Sequence, residues 1–239
     1  MDSFDRYLNE LIDGCVAHPA ITGLVLMGST ADRSRVDEWS DHDFAVIADP
    51  ASVQGLRHDL TWLPRHENIV AFAREHHDGF KVIYRDGAVV EFAVNDLAGL
   101  STFYANAWEV AYGGAPVTAV MESVAAKPVP LLGDSAVFLA ALLVGVGRAR
   151  RGEVLSGGAS VRGLALEHLL VLLRTVVPDT LDPRRRFEFA HPLLGAALAS
   201  AQELPVEDCA RAMLTIAERE LTLPAAAVAA VRSRLGWLR

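Results

Sequence analysis

Cysteine is nearly absent. The 239 residues hold two, Cys15 and Cys209, without metal-type spacing, which argues against a disulfide framework and against a cysteine zinc site and fits a reducing compartment. Lysine is equally scarce: of 22 basic residues only Lys81 and Lys127 are lysines. With the high alanine content, this reads as the composition of a GC-rich genome rather than as a function. Positive charge is in deficit, 22 Lys and Arg against 30 Asp and Glu, for a formal net charge of -8. Affinity for phosphate backbones comes mainly from Lys and Arg, so nucleic acid is disfavoured as the main partner, and a cationic small molecule suits the balance better. Long hydrophobic runs are missing too. The longest uncharged apolar stretch, 135–147, falls short of the about 20 residues a bilayer span needs. The first residues, Met-Asp-Ser-Phe-Asp, lack the basic-then-apolar order of a signal peptide. A cytoplasmic chain with no membrane partner is expected.

Apolar residues are plentiful, at 51% with a mean hydropathy of +0.25. A substantial core is available, and the length suits one large domain or two small ones. Phe4, Leu8, Leu11, Ile12 and Val16 recur at helical spacing, predicting an amphipathic helix over 3–17. Strand-like runs follow at 23–27, 43–48, 68–73, 80–84 and 88–94, with Asp86-Gly87 marking a hairpin between the last two. Helices are expected over 51–61 and 97–111, the latter ending at Gly113-Gly114. The stretch to Gly133 holds Pro116, Pro128 and Pro130 and marks a domain boundary. Beyond it the texture becomes Ala- and Leu-rich. Asp134 or Ser135 can cap a helix over 136–151 that stops at Gly152, and Ser160 a second one running to Val177. Pro183, Pro205 and Pro224 each stand near the start of a further helical pattern. The outline is α+β: a mixed-sheet domain over 1–130 followed by an all-α domain over 131–239.

One stretch carries chemistry. The run Leu24-Val25-Leu26-Met27 stops at Gly28-Ser29, and Asp41-His42-Asp43 then leads into Phe44-Ala45-Val46-Ile47. Strand alternation points Asp41 and Asp43 one way and His42 the other. Side-by-side carboxylates repel unless a cation joins them, and magnesium accepts such oxygens while leaving positions for water and substrate phosphates. A Gly-Ser turn offers a backbone that a phosphate can approach, together with N–H groups and a hydroxyl. Metal carboxylates and a phosphate cradle at one sheet edge suggest phosphoryl or nucleotidyl transfer. A third carboxylate is at hand: Glu91 is the lone charge in 88–94, and a buried glutamate without a partner would cost several kcal/mol. A metal shared with Asp41 and Asp43 is the expected partner.

Gly28-Ser29, a spacer, Asp41-His42-Asp43 and Glu91 on a later strand resemble the polymerase-beta-like nucleotidyltransferase superfamily, over about residues 20 to 95. The whole chain is similar to bacterial aminoglycoside and lincosamide nucleotidyltransferases, on its two-domain outline and on Arg151-Gly152-Glu153 after the first long C-terminal helix. The resemblance implies an N-terminal polymerase-beta-like nucleotidyltransferase domain and a C-terminal helical substrate-binding domain. It implies that Asp41 and Asp43 bind magnesium, two ions in all, and a nucleoside triphosphate, ATP or another. Glu91 is implied as third ligand or as the base for the acceptor hydroxyl, and Gly28, Ser29 and Thr30 as the triphosphate cradle. The acceptor is expected to be a small molecule between the domains. The spacer arginines Arg33 and Arg35 stand where many relatives have a shorter or different loop.

Lys81 reads as a solvated strand residue that can touch a phosphate, His42 as structural, and His76-His77-Asp78 as a solvent-exposed loop. In the helical domain Arg148 and Arg151 share a face and can bind phosphates or pair with Glu153 or Glu167, while His168 can line a pocket or make a buried hydrogen bond. Arg184-Arg185-Arg186 reads as a solvated helix start. Rival functions are nucleotidylation of a protein acceptor, as in antitoxin-type relatives, RNA modification, and a non-catalytic nucleotide-binding module. The apolar helical domain is compatible with a homodimer.

Overall fold

A computed structural model describes residues 3–75, 79–105, 107–128, 133–177 and 186–237. The expected His76-His77-Asp78 loop, Pro183, Arg184 and Arg185 lie outside the described residues. The chain divides into two compact units, Met1–Val129 and Pro130–Arg239.

The first unit is built on one six-stranded sheet. Helix α1 (Ser3–Ala17) leads into β1 (Ile21–Met27), a one-turn helix α2 (Gly28–Ala31) and β2 (His42–Ala48). After α3 (Val53–His58) come β3 (Ile69–Arg74), β4 (Gly79–Tyr84) and β5 (Val89–Asn95), then α4 (Leu97–Leu100), β6 (Trp108–Tyr112) and α5 (Gly114–Ala125). The strand order is β3-β4-β5-β2-β1-β6. All neighbours are antiparallel except β2 and β5, which run parallel. A parallel pair needs a long crossover, and here α3 and the β3–β4 pair supply it.

Alternation along the strands makes two cores. On one face Tyr7, Leu8, Leu11 and Cys15 of α1, with Leu56, Trp62 and Leu63, pack against Leu24, Phe44, Phe80, Val90 and Phe92. On the other, Leu100 of α4 and Val117, Met121 and Val124 of α5 cover Val25, Ala45 and Ile47. Asp43 and Glu91 follow the parity of the second face, one strand step from Ala45 and Ala93.

Three expectations are corrected here. The helix read over 97–111 is only α4, four residues long, followed by a strand. Trp108, Val110 and Tyr112 alternate along β6, which pairs with β1 through Met27↔Trp108 and Val25↔Val110, so cross-strand pairing overrides the helical reading. Gly113-Gly114 does not end a helix but starts one: both glycines take positive φ, +112° and +59°, and α5 occupies part of the stretch read as the domain boundary. Pro116 sits in its first turn, where a missing N–H goes unneeded. The helix read over 51–61 is confined to α3.

The second unit is entirely helical among its described residues. Helix α6 (Ser135–Arg150) is capped by Asp134, whose carboxylate accepts from the N–H groups of Ala136 and Val137, and Gly152 at φ +86° ends that run. Then follow α7 (Val154–Gly158), a π-helical segment (Ala159–Ala165), α8 (Leu166–Val176), α9 (Phe187–Ala190), α10 (Pro192–Gln202), α11 (Val206–Glu220) and α12 (Ala225–Leu235). Ser160, expected as a helix cap, instead lies inside the π-helical segment and donates to the carbonyl of Ala141 at 2.9 Å; the helical run starts earlier, at Val154. Phe138, Leu142, Leu169, Met213 and Leu214 centre its core. No helix among the described residues is long and apolar enough to cross a membrane.

Candidate active site

The apolar run of β1 ends because Gly28 takes φ +55°, a left-handed conformation that an L side chain adopts only with strain. Space is tight as well: a Cβ on Gly28 would stand 3.1 Å from Oδ2 of Asp43 and would press that carboxylate aside. The Gly28 N–H donates to the carbonyl of Ala107 at 3.1 Å, so it is occupied by the sheet and not held out for a phosphate. Two residues on, Thr30 is fully buried, and its hydroxyl accepts from the N–H of Asp43 at 2.8 Å. The turn therefore grips the mouth of β2. Thr30, expected in the triphosphate cradle, turns its side chain inward to hold the Asp43 backbone, which leaves only its main chain for a phosphate. Ser29 is half-buried in the same turn.

The ladder then sets the acids in a row. Asp43 of β2 is the register partner of Glu91 of β5, and Glu91 is in turn the partner of Lys81 of β4. Neighbouring strands lie about 4.8 Å apart and partner side chains share a face, so Asp43, Glu91 and Lys81 stand side by side across three strands. Lys81 Nζ is 2.8 Å from Glu91 Oε1 and 3.1 Å from Glu75 Oε1. These two carboxylates, Glu91 first, hold the Lys81 ammonium above the usual lysine pKa. His42 faces the other way, as expected. It is buried, stacked on Phe4 at a ring separation of 3.8 Å, and its Nε2 lies 3.1 Å from the Phe4 carbonyl. Burial holds the imidazole below the ordinary histidine pKa despite that contact. Asp41 is half-buried just ahead of β2.

The arrangement thus brings Asp43, Glu91 and Gly28 together. Among the described residues, however, no three His, Cys, Asp or Glu side chains converge as a metal set. The shared metal expected as the partner of Glu91 has a counterpart in the structure, the ammonium of Lys81. The donor chemistry still fits magnesium: Asp41 and Asp43 are hard oxygen donors, and the missing Cβ of Gly28 leaves the backbone bare beside Asp43.

Lys81 is the residue that sequence reasoning undervalued. The signal was present. Tyr84 donates its N–H to Ala88 across the hairpin, and equal steps outward from that pair place Lys81 opposite Glu91.

In the spacer, Arg33 pairs with Asp5 and lies over the Phe4 ring at 4.6 Å, which ties the spacer to α1. Several polar residues of the helical unit pair within it. Arg150 makes two hydrogen bonds to Glu207, at 2.8 and 2.6 Å, and a third to the Leu235 carbonyl at 2.7 Å. Glu207 also accepts from the Trp237 indole at 2.9 Å; the Arg150 bonds, with that one, bring its pKa down to about 2. Arg151 pairs with Glu153 at 2.9 Å, one of the alternatives open to it in the sequence, and His168 Nδ1 accepts from the N–H of Asp134 at 3.1 Å.

No family model and no curated protein matches the chain. Among solved structures, an aminoglycoside 6-adenyltransferase from Bacillus subtilis aligns over 99% of this chain and 98% of its own, at 11% identity and a TM-score of 0.35. At that distance the likeness bears no weight for family or chemistry, and the site stands on its own geometry.

Proposed function

We propose that the chain is a magnesium-dependent nucleotidyltransferase that moves a nucleoside monophosphate from ATP, or another nucleoside triphosphate, to a hydroxyl of a small molecule. One observation carries this reading: Asp43 and Glu91 are register partners on one sheet face, with the side-chain-free Gly28 against the Asp43 carboxylate. The motif's resemblance to polymerase-beta-like nucleotidyltransferases supports it.

Asp41 and Asp43 would hold the magnesium, which when bound neutralises charge on the phosphates. Thr30 fixes the main chain of Asp43, so the carboxylate is placed before substrate arrives. The Gly28-Ser29 turn lets a triphosphate approach the backbone closely, with the Ser29 hydroxyl as donor. Glu91 accepts the proton of the acceptor hydroxyl. The acceptor oxygen forms a bond to the α-phosphorus as the bond to the bridging oxygen breaks, and pyrophosphate leaves with that electron pair. Net charge of -8 favours a cationic acceptor, of aminoglycoside or lincosamide type, in the cytoplasm.

Pyrophosphate release with ATP and magnesium, measured across a panel of aminoglycosides and lincosamides, tests this. Release is expected with one class of drug and is expected to fall at least about a hundredfold in Asp43→Asn, since the metal's ligand is lost. Release unchanged in Asp43→Asn refutes the site. Absence of release with every drug, alongside magnesium-dependent ATP binding, moves the acceptor to a protein or to another small molecule.

A further inference from the structure

We propose that Lys81 is a positioning residue: it binds one oxygen of Glu91 and keeps that glutamate out of the metal's ligand set, so that Asp41 and Asp43 hold the cation and Glu91 is reserved for the acceptor's proton. The inference rests on the nucleotidyl-transfer reading above.

The ladder places Glu91 between two opposite neighbours, the Asp43 carboxylate on β2 and the Lys81 ammonium on β4. Repulsion from the first and attraction to the second act in the same direction, away from Asp43. Glu75 adds to this. It holds Lys81 Nζ at 3.1 Å while Glu91 Oε1 holds it at 2.8 Å, so the ammonium is anchored on the far side of Glu91. Oε1 is thereby engaged, and on this proposal Oε2 takes the acceptor's proton. An ammonium carries three donors and no acceptor, so Lys81 orients the carboxylate without competing for the proton it is to take. Stability does not account for the pair. The side chains are 39% and 34% exposed, and ion pairs this open contribute only about 0–1 kcal/mol. The absence, among the described residues, of a converged set of three carboxylates agrees with a glutamate drawn aside.

The test titrates Mn2+, visible by electron paramagnetic resonance, into the full-length wild type and into Lys81→Met, Lys81→Arg, Glu91→Gln and the Lys81→Met/Glu91→Gln double variant. Lys81→Met is expected to free Glu91 for the cation and to tighten Mn2+ binding about tenfold, the scale of effects on metal sites from groups that act on a ligand. The double variant, Lys81→Arg and Glu91→Gln are expected to bind as wild type. With the accepted drug, Lys81→Met is expected to lower kcat about tenfold with KM for ATP unchanged, and Lys81→Arg to restore it. Weaker Mn2+ binding in Glu91→Gln alone would make Glu91 a ligand and overturn the proposal. So would a raised KM for ATP at unchanged kcat in Lys81→Met, which marks a phosphate contact. Mn2+ binding that depends on Asp43 but ignores Lys81 overturns this inference alone. Mn2+ binding indifferent to Asp43→Asn removes the site reading and the inference with it.

Discussion

The N–H of Asp43 donates to a hydroxyl that is shut off from solvent, so the position of the acid depends on a side chain that substrate never meets. Thr30→Val keeps the shape and removes the acceptor. Leaving that N–H without a partner is expected to destabilise the first unit by about 1–3 kcal/mol. Letting Asp43 drift is expected to lower turnover ten- to a hundredfold, roughly the penalty of ångström-scale misplacement. Urea unfolding and pyrophosphate release measure the two effects, and Thr30→Ser, which retains the oxygen, is expected to recover most of both. Asp43, Glu91 and Gly28 were legible in the sequence because each is anomalous where it stands: charge inside apolar strands, a glycine at a strand's end. Thr30 was not, because a buried threonine and a phosphate-binding one look alike until the turn's direction is known. Lys81 reads as a solvated strand residue for a different reason. Its meaning lies in what stands opposite it, which hydropathy does not encode but the hairpin register does.

At the scale of elements, strands and helices with a clean period were readable nearly to the residue, as α1, β2 and α6 show. The failures cluster where a partner decides. β6 is a strand because β1 offers an edge for it; the alternation of Trp108, Val110 and Tyr112 is its only local mark, too short to outweigh a helical reading of 97–111. Ser160 looked like a cap because serine often is one, yet α7 already runs into it. The reason α7 can begin so early is close contact with α6: a Cβ on Gly157 would lie 2.7 Å from the Gly145 carbonyl oxygen and 2.9 Å from the Ala149 nitrogen. Both obstacles are backbone, which cannot swing aside. Gly157→Ala is therefore expected to destabilise the helical unit by about 1–3 kcal/mol, as overpacking does, even though alanine favours helix more than glycine. Gly55→Ala in α3, where a Cβ meets nothing within 4 Å, serves as the control in the same unfolding measurement and is expected to be neutral or slightly stabilising.

Across the whole molecule, each unit carries its own core, and acid is expected to reach the two by different groups. In the first unit His42 is buried and its pKa lies below the ordinary 6.5, chiefly through burial, with the Phe4 carbonyl and Asp41 opposing and Arg33 and Arg65 reinforcing the shift. A depressed histidine binds its proton more readily when unfolded. Its contribution is complete above about pH 6.5 and is lost as pH falls through the folded value. In the second unit Glu207 is lowered from 4.5 to about 2 by Arg150, Trp237 and Arg211. That stability is present above pH 4.5 and is lost as pH drops towards 2. Trp237 reports on this pair directly, since its indole donates to Glu207, whereas Trp62 lies in the core that holds the sheet. Guanidinium unfolding of the full chain at a series of pH values, followed with a Trp39→Phe/Trp62→Phe/Trp108→Phe protein that keeps Trp237 and with a Trp237→Phe protein that keeps the sheet unit's tryptophans, is expected to show the sheet unit weakening first as pH drops below 6.5 and the helical unit only below 4.5. Glu207→Gln is expected to lower the helical unit's stability at pH 7 and to flatten its dependence between pH 4.5 and 2, so that mutant and wild type converge in acid. A helical unit that weakens in step with the sheet, between pH 6.5 and 4.5, would show that Glu207 does not govern its response.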